Sequence, residues 1–190
     1  EGNMLDYFAQ MVNDYAPDLL AFSVVENTWF IAEILLNSLD RRIPTLVGGV
    51  FPTNAPEIVI SNKKVDYVCR GEGEKAMLDL VNCLSDGKVG KTKKIPNIWA
   101  KLDDHVYKNN IGESVDLNEI PFPDWSLFEE QSLYRPMQGK IYKTIGIETQ
   151  RGCPFTCSFC NSPSNNVIYK NETGSVFYRK KSLKRFTAGN

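Results

Sequence analysis

Three of the five cysteines fall within the eight residues Cys153–Cys160, spaced Cys-x3-Cys-x2-Cys. Three thiols this close do not pair off as disulfides, and nothing else in the sequence has a secreted character. Thiolates converging from one short loop suit a soft cationic centre. A [4Fe–4S] cluster has four irons and ordinarily takes four thiolates. Three thiolates leave one iron open to a small molecule, so such a cluster does chemistry instead of only carrying electrons. Structural zinc is the alternative. It takes four protein ligands, and the fourth would have to come from Cys69, Cys83, His105 or an acid, none of them in a neighbouring knuckle.

The run Gly152-Cys153-Pro154-Phe155-Thr156-Cys157-Ser158-Phe159-Cys160 resembles the cluster-binding loop of the radical S-adenosylmethionine (SAM) enzymes. The resemblance implies that Cys153, Cys157 and Cys160 hold a [4Fe–4S] cluster and that SAM chelates the open iron through its amino and carboxylate groups. It implies that Phe159 lies by the adenine, and that one electron from the cluster cleaves SAM reductively to a 5′-deoxyadenosyl radical. An external one-electron reductant of flavodoxin or ferredoxin type is implied with it. Upstream, Ile145 and Ile147 alternate with Gly146 and Glu148, the period of a strand feeding a loop. Reactive loops follow strand C-termini in α/β barrels, so residues 143–190 read as the first strand and cluster loop of a truncated α/β barrel.

The elements before the cysteines set a second pattern. Met4, Leu5, Phe8, Met11, Val12 and Tyr15 recur at helical spacing and stop at Pro17. Asp18–Val25 is an apolar run of buried-strand type. A helix follows, capped by Asn27 or Thr28, with Phe30 or Ile31, Ile34, Leu35 and Leu39 on its face and Arg41-Arg42 at its end. Strands over Pro44–Val47 and Val65–Cys69 bracket a weaker helix over Pro52–Ile60. A helix with Ala76, Met77, Leu80, Val81 and Leu84 on its face ends at Gly87. This alternation predicts an α/β fold: a Rossmann-like (flavodoxin-like) parallel sheet with helices on both faces. Ile98–Lys101 and His105–Tyr107 around Asp103-Asp104 predict a β-hairpin beside it. Leu117–Phe128, with Pro121, Pro123 and Asp124-Trp125, reads as an extended linker in which Trp125 and Phe128 pack.

In parallel sheets ligands bind beyond the strand C-termini. Three small or glycine-rich loops occupy that edge: Ser23, Gly48-Gly49, and Gly71-Glu72-Gly73-Glu74. Each has an ordinary explanation as a turn or a helix start. Together, as Ser23, Gly48-Gly49 and Arg70-Gly71-Glu72-Gly73-Glu74, they resemble the cobalamin-binding domain that precedes the catalytic domain in one large branch of radical SAM enzymes. The resemblance implies cobalamin at Ser23, Gly48, Gly49, Gly71, Glu72 and Gly73, and methyl transfer or ring formation as the chemistry. One departure stands out: the Asp-x-His-x-x-Gly motif whose histidine ligates cobalt in many such domains is absent, and the single histidine is His105. A plain cobalamin carrier or sensor is the remaining alternative.

The resulting domain reading is a cobalamin-binding-like domain with hairpin over residues 1–116, a linker over 117–142, and the start of a radical SAM domain over 143–190, with both ends cut from a longer protein. Net charge is −1, with 42% hydrophobic and 24% charged residues. This balance gives no argument for nucleic acid or membrane partners. The run Lys88–Lys94 reads as a solvated loop, and Ser182 as a helix cap. No apolar run approaches the ~18 residues of a membrane span. Thiols kept for an iron–sulfur centre need a reducing compartment, which points to the cytoplasm.

Overall fold

The computed structural model describes residues 3–187; the outermost residues of the expected domains, 1–2 and 188–190, lie outside the described residues. The chain divides into two compact units. One runs to Ser114 and takes in Val167–Ser175. The other comprises Val115–Asn166 and the chain from Val176 onward.

The first unit alternates helix and strand as the periodicity predicts: α1 (Met4–Tyr15), β1 (Leu20–Ser23), α2 (Glu26–Ser38), β2 (Thr45–Gly48), α3 (Val50–Asn54), α4 (Pro56–Ser61), β3 (Tyr67–Cys69) and α5 (Glu74–Ser85). Strands β1, β2 and β3 are parallel, with Ser23 beside Gly48 and Val47 beside Val68. The hairpin of β4 (Ile98–Leu102) and β5 (His105–Lys108) does not stand beside the sheet but joins it antiparallel to β3. The sheet is therefore mixed, in the order β1-β2-β3-β4-β5. The reason is burial. Ile98, Trp99 and Ala100 are at most 5% exposed, and pairing with β3 covers both faces of β4 and an otherwise open edge.

Successive strand residues point to opposite faces, and two cores follow. Val47, Val68 and Trp99 pack with Val12, Trp29, Leu36, Val59 and Ile60 on one side. Leu46, Tyr67, Cys69, Ile98 and Ala100 pack with Ala76, Leu80 and Ile95 on the other. Helices α1, α2 and α4 thus cover one face and α5 the other, in a Rossmann-like α/β arrangement.

The helix faces differ in detail from the pattern. In α1 only Val12 is buried, with Phe8 and Ala9 packed against the core; Met4, Met11 and Tyr15 are exposed. In α2 the buried residues are Trp29, Ala32 and Leu36, while Phe30, Ile31 and Ile34 are exposed. The largest side chain sets the rotation: Trp29 stacks on Phe51 with centroids 6.3 Å apart. Thr28 acts from inside the first turn, where its hydroxyl accepts the Val25 N–H at 2.9 Å. The cation at the end of α2 is Lys64, which donates to the carbonyls of Leu39 and Asn37. Arg42 turns instead to Asp66, whose other oxygen accepts the Thr45 N–H at 2.9 Å. The single helix expected over Pro52–Ile60 is two, broken at Ala55 (φ −134°, ψ 55°), because Pro56 disfavours helical backbone in the residue before it. Within the charge run, Val89–Lys94 forms a 3-10 helix with Thr92 fully buried.

In the second unit, β6 (Tyr134–Met137) and β7 (Lys140–Lys143) form a hairpin. The strand expected from the alternation at Ile145 and Ile147 is not realised, and β7 ends at Lys143. Residues 145–148 join no ladder among the described residues, and Ile145 and Ile147 remain half exposed. A strand lasts only as far as its hydrogen-bonding partner. β8 (Gln150–Arg151) pairs with two residues, β9 (Arg179–Lys180). After the cysteines comes α6 (Ser162–Thr173), whose residues from Val167 on belong to the first unit, with Pro163 in the first turn where its missing N–H costs little. Ser182 caps α7 (Leu183–Thr187), its hydroxyl accepting the Arg185 N–H at 3.2 Å. Trp125 and Phe128 pack on each other at 5.7 Å, and Phe128 stays 55% exposed.

Gly49 has φ 105°, and a Cβ there would lie 2.5 Å from the Val24 carbonyl oxygen. A Cβ on Gly48 would meet the Cys69 Cβ at an ordinary 3.5 Å. Gly49→Ala should therefore lower folding stability by about 2–3 kcal/mol, with Gly48→Ala close to wild type, as read from urea unfolding midpoints.

Candidate functional site

The register of β1, β2 and β3 gathers the three strand-end loops on one edge of the first unit. Ser23 is exposed, and its hydroxyl has no partner among the described residues. Gly48 lies between Ser23 and Cys69. Thr53, buried at 5% exposure, joins the second loop to the third: its hydroxyl donates to the Gly49 carbonyl at 2.8 Å and accepts the Gly71 N–H at 2.9 Å. Asn97 braces the third loop from β4's start, its amide donating to the Arg70 carbonyl at 2.8 Å and accepting from Gly112 at 2.9 Å. Glu72 is buried, and its N–H donates to the Tyr169 hydroxyl at 2.9 Å. Gly73 opens onto Cys69 Sγ, with room for ordinary contact. Ser23, Gly48, Gly49, Gly71, Glu72 and Gly73 thus lie along one edge. Ser23 offers an open polar group, while the amides of Gly71 and Glu72 are engaged within the protein.

His105 is not on that edge. It begins β5 opposite Leu102, at the end of the hairpin remote from Ile98, and Ile98 is the residue that faces Cys69. In the strand order β5 is also the border strand farthest from β1. Its imidazole is exposed and sits edge-on to Tyr107 at 4.6 Å. The chain's single imidazole therefore lies at the opposite end and opposite side of the sheet from Ser23, as befits a hairpin surface residue.

Cys69 ends β3 at 5% exposure. Burial, with Glu74 adding to it, pushes its thiol up to about 12, so it stays protonated and behaves as a small hydrophobe.

The cysteine loop, in the second unit, has the opposite character. Cys157 and Cys160 are exposed and Cys153 is half-buried; all three are free. The Cys160 N–H donates to the Cys157 carbonyl at 3.2 Å, and the Ser162 N–H approaches Cys160 Sγ at 3.4 Å. Asn166 donates to the Cys153 carbonyl at 3.2 Å. The side-chain oxygens of Asn165 and Asn166 are sealed from solvent without a hydrogen-bond partner. Among the described residues no three His, Cys, Asp or Glu side chains converge as a metal-binding set. The chemistry of the donor set nonetheless fits a soft metal centre: three free thiols in one loop, with a backbone N–H aimed at one sulfur. Phe159 is 92% exposed, its ring open for stacking. Behind the loop, bidentate bonding to Arg151 holds the Glu148 carboxyl below its ordinary range, with Lys181 adding to the effect.

Sequence reasoning missed Thr53, Asn97, Tyr169 and Glu172. The pair Pro96-Asn97 carried a turn signal, realised as φ 69° at Asn97. Tyr169 meets Glu72 across 97 residues, a separation at which no local pattern speaks.

In the folded, metal-free chain, iodoacetamide should label Cys157 and Cys160 first, Cys153 more slowly, and Cys69 at least ~100-fold more slowly, as followed by peptide mass spectrometry. The raised Cys69 value also fixes a sign. The folded state holds this proton more tightly than the unfolded state, whose thiol titrates near 9.0. Stability should therefore be fully present below pH 9 and fall as pH rises toward 12, by on the order of 4 kcal/mol. Cys69→Ala should flatten that decline in unfolding measured against pH.

Residues 2–81 match the family model described as the B12 binding domain. Over 165 residues the chain is 30% identical to the anaerobic magnesium-protoporphyrin IX monomethyl ester cyclase of Rubrivivax gelatinosus, a match covering 82% of this chain and 29% of that protein. It is 29% identical over 165 residues to an uncharacterized methyltransferase of Pyrococcus horikoshii, covering 81% of this chain and 33% of the relative. A solved structure of the cobalamin-dependent S-adenosylmethionine radical enzyme OxsB, with aqua-cobalamin and S-adenosylmethionine bound, shares the fold at a TM-score of 0.62 and 24% identity, over 84% of this chain and 22% of that one. The chain spans about a third or less of the length of these relatives. No described helix is long and apolar enough to cross a membrane. Residues 2–81 thus match a B12-binding domain, and most of the chain is similar to portions of longer cyclase and methyltransferase relatives.

Proposed function

We propose that this chain is the cobalamin-domain and cluster-loop portion of a radical SAM enzyme. In this reading Cys153, Cys157 and Cys160 hold a [4Fe–4S] cluster whose open iron takes SAM. Cobalamin lies over the strand-end edge marked by Ser23 and Gly48, bordered by Gly49, Gly71, Glu72 and Gly73. The observation that carries the reading is the presence, on one chain, of three free cysteines in an eight-residue loop downstream of a sheet domain of the B12-binding family.

When bound, the cluster supplies the single electron that cleaves SAM reductively to the 5′-deoxyadenosyl radical. The chain's residues do the holding and orienting. The three thiolates bind the metal, and the Ser162 N–H steadies the negative charge of Cys160 Sγ. Phe159 offers an exposed face to the adenine. Ser23 offers a free hydroxyl, and Gly48, without a side chain, lets a large ligand approach the backbone. The cobalt draws no imidazole from the described residues, because His105 lies at the far end of the sheet. The proposed chemistry is methyl transfer; ring closure, the reaction in the cyclase's name, is the second class. An external one-electron reductant of flavodoxin or ferredoxin type feeds the cluster, in the cytoplasm. The 190-residue chain by itself is expected to be inactive toward SAM, which in a barrel is held from several strand ends.

Anaerobic reconstitution tests the reading. About four iron and four sulfide per chain are expected. Cys157→Ala should abolish both, while Cys69→Ala and Cys83→Ala should retain them. One zinc and no sulfide would make the loop a structural metal module instead. Hydroxocobalamin should bind weakly, and electron paramagnetic resonance of the reduced cob(II)alamin state should lack hyperfine splitting from a protein imidazole nitrogen. Tight binding with that splitting would contradict the placement of His105.

A further inference from the structure

The third strand-end loop is gripped from far along the chain. Tyr169 is 1% exposed, and its hydroxyl accepts the Glu72 N–H at 2.9 Å. Gly71 sits at φ 70°, and a Cβ there would lie 2.4 Å from that hydroxyl oxygen. One turn further on, Glu172 meets Arg70 with both oxygens, at 2.9 and 3.3 Å. The two side chains are only 12% and 21% exposed. The same carboxylate accepts the Ile111 N–H at 2.7 Å. The Arg70 guanidinium also lies 5.4 Å from the Trp99 ring centroid. The partners stand 97 and 102 residues apart in sequence, yet all belong to the first unit.

We propose that Arg70-Gly71-Glu72 is the seat of an intramolecular latch, closed by Tyr169 and Glu172, whose loop amides are spent within the protein and not on a bound cofactor. The glycine at 71 is required by the tyrosine, whose hydroxyl fills the space a side chain would need. The loop amides are spent inward: Gly71 donates to Thr53 and Glu72 to Tyr169. The fork-to-fork Arg70–Glu172 pair fixes direction as well as distance. Such contacts are reciprocal, so what orders the loop orders residues 167–175, and the converse. Helix α6 carries both Tyr169 and Glu172, and the latch stands independently of the proposed function.

Amide hydrogen exchange on the 190-residue chain, resolved by residue, tests it. Tyr169→Phe removes one oxygen and should speed exchange of the Glu72 amide by about tenfold. Glu172→Gln should do the same for Ile111. Gly71→Ala, acting from the other side, should release the amides of residues 167–173; circular dichroism confirms that each variant folds, and the two conservative variants decide the matter if this one does not. Tyr169→Phe should leave hydroxocobalamin affinity unchanged. Unaltered exchange at Glu72 in Tyr169→Phe would overturn the latch. So would a tenfold loss of cobalamin affinity in that variant with exchange unaltered, because it assigns the loop to the cofactor. If neither wild type nor variant binds cobalamin, the proposed function fails, while the exchange comparison still decides the latch.

Discussion

A single buried hydroxyl ties the strand-end edge together. Thr53 Oγ1 donates to the Gly49 carbonyl and accepts the Gly71 N–H, so one side chain satisfies a backbone group from each of two loops. Both bonds are partly buried, and leaving a buried polar group unpaired costs about 1–3 kcal/mol. The loops are therefore not independent features that happen to share an edge. The turn after β2 takes its shape from the Val24 backbone and Thr53, and the turn after β3 takes its shape from Thr53, Asn97 and Tyr169. The edge is made by the protein's own contacts before any ligand arrives.

This changes what the glycines mean. A glycine-rich loop at a strand end reads naturally as room for a large ligand. At Gly49 and Gly71 the room is already taken, by the Val24 backbone and by the Tyr169 hydroxyl. The positions that remain open are Ser23, with its unpartnered hydroxyl, and Gly48, whose missing side chain leaves the backbone approachable. A ligand on this edge is thus expected to lean toward β1 and β2, with the β3 loop as a fixed wall.

The fold was legible in the sequence to the extent that burial is local. Alternating helices and strands, the break at Gly87 and the hairpin around Asp103-Asp104 all follow from short-range patterns. The misreadings share one physical origin, which is competition decided by a distant partner. Ile31 and Ile34 lost the core face of α2 because Trp29, the largest side chain available, found Phe51. Arg42 left the helix end for Asp66, and Lys64 took its place. The hairpin entered the sheet because Trp99 and its neighbours gained a second buried face there. Tyr169 and Glu172 were invisible for the same reason: their value lies in a loop about a hundred residues earlier, and nothing within their own helix distinguishes them from surface residues. The cysteine motif, by contrast, carries its signal in spacing within eight residues, so no distant partner is needed to notice it.

The two candidate sites then differ in kind, and the difference follows from how their polar groups are satisfied. On the strand-end edge the Gly71 and Glu72 amides both have protein partners, and Cys69 is sealed and protonated. That is a preformed scaffold, whose geometry should change little when a ligand binds. The cysteine loop holds its thiols in the open, with Cys157 and Cys160 exposed and the amide oxygens of Asn165 and Asn166 unpaired behind them. Under the proposed function, ligation of the three thiolates to one centre would draw Cys153, Cys157 and Cys160 together and link the ordering of that loop to metal binding. The strand-end edge is the part that burial alone could build, and under the proposed function the open loop is the part that a metal would order.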